Sequence, residues 1–131
     1  MSQQTDKSFG FFLHNNPEDS YMTLPGFEYD NVTLFATHKV IEKTYWNLNL
    51  TGLKGPNGAV DVTGWKAAID SGTSVIVGSA AVIDPLIEGL VVDEACAGIE
   101  SLPDITMSFD GKDYVMTYND YVVKVSLGDQ T

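Results

Sequence analysis

The sequence predicts a mostly β domain. Three observations carry that prediction: short apolar and β-branched segments, Gly/Pro/Asn/Asp turns between them, and a single stretch with a helix start signal. Ser8 to Leu13 is an aromatic run suited to a buried strand. His14 to Ser20 carries turn residues throughout, Tyr21 to Leu24 fits the return strand, and Pro25-Gly26 marks the next turn. Val32 to Ala36 and Thr44 to Leu50 read as strands, the second placing Trp46, Leu48 and Leu50 on one face. Gly55 to Gly58 forms a hairpin tip. Ala67 to Asp70 and Val75 to Val77 are apolar runs on either side of Ser71-Gly72-Thr73-Ser74. Ser79 can cap a helix over Ala80 to Ile83 that Pro85 interrupts; a short helix capped by Asp84 with Pro85 in its first turn is equally consistent. Ile105 to Phe109, Asp113 to Tyr118 and Tyr121 to Val125 complete the strands, with Asp110-Gly111 as a tight turn. The expected total is about eight or more short strands and one helical piece.

Composition narrows the function. The chain has 131 residues, 44% hydrophobic and 19% charged, enough to build one real core. Its 18 acidic and 7 basic residues give a net charge of −11. That balance argues against nucleic-acid binding and against docking on anionic lipid, both of which need a basic footprint. No apolar run is long enough to span a bilayer, and the polar opening Met1 to Asp6 has no signal-peptide core. Cys96 is the one cysteine, so no disulfide closes within these residues and no multi-cysteine zinc site forms. His14 and His38 lie apart without further ligands in view, and both read as surface histidines.

The most informative stretch is Ile69-Asp70-Ser71-Gly72-Thr73-Ser74. An aspartate stands at the end of an apolar run, on a bend of small hydroxyl residues. Taking a carboxylate out of water is costly unless hydrogen bonds meet it. Ser71, Thr73 and Ser74 offer donors, and Gly72 lets other backbone come close. A carboxylate held this way is a candidate acid or base. An Asx or Ser turn that only stabilises a bend is the competing reading.

These residues, together with others in order along the chain, resemble the C-terminal lobe of the pepsin-like aspartic proteases, of the cathepsin D type. Phe11-Phe12-Leu13 looks like the strand that opens the lobe. Thr44-Tyr45-Trp46-Asn47-Leu48 is similar to the family's Tyr-Trp strand. Asp70 to Ser74 matches the second catalytic loop. Leu102-Pro103-Asp104-Ile105, followed by Gly111, Tyr114 and Asp120-Tyr121, is similar to the Leu-Pro-x-Ile strand and the hairpins after it. The resemblance spans roughly residues 9 to 127.

The resemblance implies a single lobe of a pepsin-like acid protease fold, β-barrel-like sheets with one short helix. Residues 1–8 would be a disordered or appended tail and residues 9–131 an incomplete lobe. It implies an aspartic endopeptidase in which two aspartates, one per lobe, activate water for peptide hydrolysis at acid pH, with no cofactor and no metal. Asp70 would be this lobe's catalytic aspartate. Thr73 would hydrogen-bond its outer oxygen, and Ser71 would stand where the family has Thr. Gly72 would offer backbone atoms to an extended substrate, and Ser74 would line the same cleft. The partners implied are a peptide or protein substrate and the N-terminal lobe of the same parent protein. The implied setting is secreted, endolysosomal or vacuolar.

Departures from the family pattern shape the expectation. No second Asp-Ser/Thr-Gly occurs, since Asp110-Gly111 lacks the intervening hydroxyl residue. The family closes this lobe with a later Cys and an apolar-apolar-Gly strand, expected beyond Thr131; Cys96 matches the first lobe cysteine, so its partner would lie there too. Val125-Ser126-Leu127-Gly128-Asp129 is a weak likeness of that strand. Leu24-Pro25-Gly26-Phe27-Glu28 replaces the usual Phe-Gly-Gly-x-Asp. The fragment alone is therefore expected to be inactive. Two alternatives stay open: a retroviral-type protease active only as a homodimer, and a non-catalytic peptide-binding lobe. Asn31-Val32-Thr33 and Asn49-Leu50-Thr51 fit the glycosylation pattern, the second inside an expected strand that argues for a structural role.

Overall fold

The computed structural model describes residues 7–14, 16–26 and 35–123. The chain divides into two compact units, residues 1–37 and 38–131.

In the first unit, β1 (Gly10–Phe12) pairs antiparallel with β2 (Tyr21–Thr23), placing Phe11 opposite Met22 and Phe12 opposite Tyr21. The turn residues between them form a 3-10 turn over Pro17–Asp19. The Asn16 carboxamide donates to Asp19 at 2.9 Å, and the His14 N–H donates to the Ser20 hydroxyl at 2.9 Å. The expected strand and its return are therefore present, but the strand is not buried. Phe11, Phe12, Leu13, Tyr21 and Met22 are all exposed. A two-stranded ribbon has two faces, and apolar side chains stand on both. Of the strand expected over Val32 to Ala36, residues 32–34 lie outside the described residues, and Phe35 and Ala36 are not in a strand.

The second unit is organised by β3 (Asn47–Gly55). Its opening residues pair with β5 (Lys66–Ala68), its closing residues with β4 (Gly58–Ala59), and its other edge with β6 (Ile105–Phe109). β7 (Lys112–Met116) pairs with β6. Every pairing is antiparallel. β3 begins later than expected, because residues 43–46 form a turn and leave Tyr45 and Trp46 exposed. It also carries a bulge between Leu50 and Gly52. A bulge inserts one residue and swaps the faces of a strand. The inward set is thus Leu48 and Leu50 before the bulge and Leu53 and Gly55 after it.

Both tight hairpins form where expected. Gly55 pairs with Gly58 around a two-residue Pro56-Asn57 turn. Asp110 and Gly111 take φ of 50° and 80°, the left-handed pair that matches strand twist in a two-residue loop.

Three expectations need correction. Val75 to Val77 is not a strand; no described strand lies beside it to complete a ladder, and all three residues are exposed. Helix α1 runs unbroken over Ala80–Ile87 with Pro85 inside it. Proline removes one intrahelical bond, while the Ser79 side chain accepts from Ala81 N and the burial of Val82 and Leu86 anchors both turns. The segment expected as a strand from Tyr121 instead enters α2 (Tyr118–Tyr121), residues 124–125 lying outside the described set. Thr117 and Asp120 form a reciprocal capping box that satisfies the helix start. Among the described residues there are thus seven strands and two α-helices. The class remains mostly β, with one more helix than expected.

The core gathers Leu53, Val62, Val82, Leu86 and Ile105, with Leu50, Met107 and Tyr121 packed on it. Helix α1 lies so close to β3 that a Cβ on Gly55 would stand 2.2 Å from the Leu86 carbonyl oxygen. No helix among the described residues is long and apolar enough to cross a membrane.

Candidate active site

The sheet delivers Asp70 to the end of β5. Pairing of β5 with the start of β3 holds Ala67 and Ala68, and the Ile69 N–H donates to the Trp46 carbonyl at 3.0 Å. The ladder ends there, and the chain turns, with Thr73 N–H donating to the Asp70 carbonyl at 3.3 Å. Within that turn both carboxylate oxygens are met. The Gly72 N–H donates to Oδ1 at 2.9 Å, and the Thr73 hydroxyl donates to Oδ2 at 2.7 Å. Gly72 suits its place because a Cβ there would sit 3.2 Å from Oδ1.

Both bonds favour the ionised carboxylate. The Thr73 hydroxyl first, and the Gly72 N–H second, hold Asp70 below the usual carboxylate range against a smaller opposing effect of desolvation. Ser71 and Ser74 lie on the same bend and are exposed, but make no hydrogen bond to Asp70. Of the three expected hydroxyl donors, Thr73 alone reaches it; the second donor is backbone, which side-chain inventory does not reveal.

Asp70 and Thr73 line a cavity of about 500 Å³. Its wall is apolar, built from Ile69, Val75, Ile76, Val77, Val82 and Leu86. Trp65 and Lys66 also line it, two residues that sequence reasoning passed over. Only their step of alternation ahead of Ala67 hinted at it. Lys66 is paired with Glu42, whose other oxygen accepts from the Asn47 carboxamide at 2.7 Å. The Lys66 and Asn47 hydrogen bonds lower the Glu42 carboxyl from its ordinary value. Lys66, a lining residue of the cavity, is thereby committed to Glu42. No second carboxylate lines this cavity among the described residues. A lone hydrogen-bonded carboxylate can bind and orient a water and accept a proton, but it cannot share one.

The two histidines differ from expectation in one case. His14 is exposed beside Asp19. His38 is largely covered, bridging Asp110 at 3.3 Å and the Tyr114 hydroxyl at 2.5 Å. It fastens the start of its unit to the β6–β7 hairpin instead of standing on the surface. Cys96 is a free, half-buried thiol at φ 59°. Among the described residues no three His, Cys, Asp or Glu side chains are placed to hold a metal ion.

Comparison with known proteins bears on this geometry. Residues 3–131 match the family model described as eukaryotic aspartyl protease. The chain is 32% identical to cathepsin D of Bos taurus over 139 aligned positions, covering 94% of the chain and 35% of that protein. It is 35% identical to cathepsin D of Gallus gallus over 107 positions, covering 74% of the chain and 27% of that protein. It is 31% identical to plasmepsin VI of Plasmodium berghei over 93 positions, covering 65% and 21%. The chain thus spans about a third or less of the length of the curated relatives it matches.

Proposed function

The chain belongs to the eukaryotic aspartyl protease family, and from that premise we propose that residues 9–131 are the C-terminal lobe of an aspartic endopeptidase. Asp70 is one of its two catalytic carboxylates. The observation that carries the reading is the doubly hydrogen-bonded Asp70 carboxylate in the wall of a mostly apolar cavity. The partner that supplies the other carboxylate is the N-terminal lobe of the same parent protein. A third-length match to the relatives and a cavity with a single carboxylate both support that division.

The chemistry follows from placing two carboxylates together. Like charges at close range cannot both ionise freely, so the pair holds one proton between them, and its titration belongs to the pair. The ionised member takes a proton from a water as that water adds to the peptide carbonyl carbon. The protonated member gives its proton to the carbonyl oxygen. As the resulting diol collapses, the carboxyl group that took the water's proton gives it to the leaving nitrogen, the C–N bond breaks, and a diol hydroxyl returns a proton to the other carboxylate. Thr73 and Gly72 keep Asp70 oriented. Gly72 and Ser74 flank an extended peptide laid along the bend. The family setting is a secreted, endolysosomal or vacuolar compartment, where an acidic surface is tolerated.

The test is peptide cleavage at acid pH by the purified chain alone and after co-refolding with the N-terminal lobe of bovine cathepsin D. The expected result is no activity alone and activity after co-refolding that Asp70→Asn abolishes. Cleavage by the chain alone, unaffected by Asp70→Asn, would overturn the reading. Cleavage by the chain alone that needs Asp70, with sedimentation as a dimer in the presence of an active-site inhibitor, would replace the two-lobed partner with a second copy.

A further inference from the structure

One sequence motif is not absorbed by the site. Asn49-Leu50-Thr51 has the acceptor pattern for N-linked oligosaccharide, with no proline at its centre. The three residues lie on β3, and the strand treats its two nearby asparagines differently. Asn47 is buried and its carboxamide donates to Glu42. Asn49 is exposed, and its carboxamide has no hydrogen-bond partner among the described residues. One residue, Leu48, separates them, and both pair with β5, so the difference lies in what surrounds each side chain. An attached hydrophilic chain at Asn49 would therefore project into water without displacing the core.

Thr51 is in the opposite condition. Its hydroxyl donates to the Ser108 carbonyl at 3.1 Å and accepts from the Gly111 N–H at 3.0 Å. The backbone is equally committed: Asn49 pairs with Lys66 on β5, its carbonyl accepts from Asp110 N–H at 3.4 Å, and Leu50 pairs with Phe109 on β6. A transferase must take the acceptor segment as a free peptide with the threonine hydroxyl within reach of the asparagine. In the folded sheet neither the backbone nor that hydroxyl is free. The acceptor atom is open, while the recognition elements are closed.

We propose that Asn49 is an N-glycosylation site modified before β3 is closed into its sheet, the glycan then standing on the outward face of the strand. The donor is a lipid-linked oligosaccharide diphosphate. The Asn49 Nδ2 bonds to the anomeric carbon, the bond from that carbon to the diphosphate oxygen breaks, the lipid diphosphate leaves, and one amide proton passes to a base of the transferase. The proposal rests on the secretory setting of the functional reading above.

Two measurements test it. In the first, the full chain is directed by a cleavable leader into the secretory lumen of a eukaryotic cell, and its glycopeptides are mapped. Asn49 is expected to be occupied, and Asn49→Gln is expected to remove one glycosidase-sensitive band step, whether or not Asn31 is also occupied. A bare Asn49 in the exported chain overturns the proposal. So does a glycosylated chain that is retained while Asn49→Gln is exported, because the face would then not be open. In the second, unmodified chain from bacteria is offered to a purified oligosaccharyltransferase and its donor, folded or urea-unfolded and diluted. Modification at Asn49 is expected in the unfolded sample and lost in the folded one; equal modification of both overturns the ordering. Neither result bears on Asp70, which the cleavage assay reads separately.

Discussion

Replacing Gly55 by alanine tests how the site's supporting frame is built. An added Cβ would stand 2.2 Å from the Leu86 carbonyl oxygen, 3.0 Å from its carbon and 3.3 Å from its Cα. All three are backbone atoms of α1, so no side-chain rotation relieves the overlap, and the helix must retreat by more than an ångström. That helix carries Val82 and Leu86 into the core and along the Asp70 cavity. Overpacking of this kind costs about 1–3 kcal/mol. Against it stands a gain of about 0.5–1 kcal/mol, since alanine has less freedom than glycine to lose on folding. The steric cost wins, leaving a net loss of about 1–2 kcal/mol. With a urea slope of about 2 kcal/mol/M, the unfolding midpoint falls by about 0.5–1 M at unchanged slope. Gly52→Ala is the control: its Cβ meets the Ser108 hydroxyl at 2.8 Å, which can swing away at the expense of its bond to Asp113, and the Ser108 Cβ at 3.1 Å, which must give only slightly. It should cost less than Gly55→Ala. A Gly55→Ala midpoint equal to or above the parent's would show that α1 does not rest on β3 as described.

Three further outcomes follow from named contacts. Thr73→Val removes the stronger of the two bonds that hold Asp70 down, so NMR titration of the Asp70 carboxyl carbon should show its pKa rising toward the ordinary 3.8. The sign for stability is fixed by that depression: the contribution is present above the unfolded pKa and fades as pH falls through the folded one, so the variant should lose less stability between neutral and acid pH than the parent. Leu86→Ala should cost about 2–3 kcal/mol in urea unfolding, the lower part of the usual range because Leu86 already borders the cavity on one side. Tyr121→Phe removes a 2.6 Å bond from the phenol to the Pro103 carbonyl and should cost about 0.5–1 kcal/mol. Burial, and then the Asp104 charge, raise that phenol above 10.0. Its folded form holds the proton more tightly, so this part of the stability is lost as pH rises through the folded pKa, a loss that Tyr121→Phe should not show in alkaline unfolding.

The local sequence was a reliable guide where a short-range rule decides the backbone. Asp110-Gly111 and Gly55 to Gly58 specify their hairpins through φ preference alone. Ser79 starts the helix through one hydroxyl, the first of the two starts the sequence left open. Thr73, three residues from Asp70, supplies the one expected hydroxyl that reaches the carboxylate, while the Gly72 N–H is a backbone donor that residue types do not announce. The family, too, was legible, because its motifs sit in order along the chain.

Tertiary structure decided whatever depends on partners distant in the sequence. The bulge at Leu50 and Gly52 exchanges the faces of β3, and it exists only because β6 arrives in that register. Val75 to Val77 has strand composition, yet a strand needs a neighbour to receive its hydrogen bonds, and none of the described strands lies beside it. Pro85 should break a helix by local rule, but Val82 and Leu86 packing against β3 outweigh one missing bond. Residue identity along the chain therefore settled the turns, the caps and the carboxylate's cradle. Contacts across tens of residues settled which face is inside, because burial is a property of the assembled surface and not of any single segment.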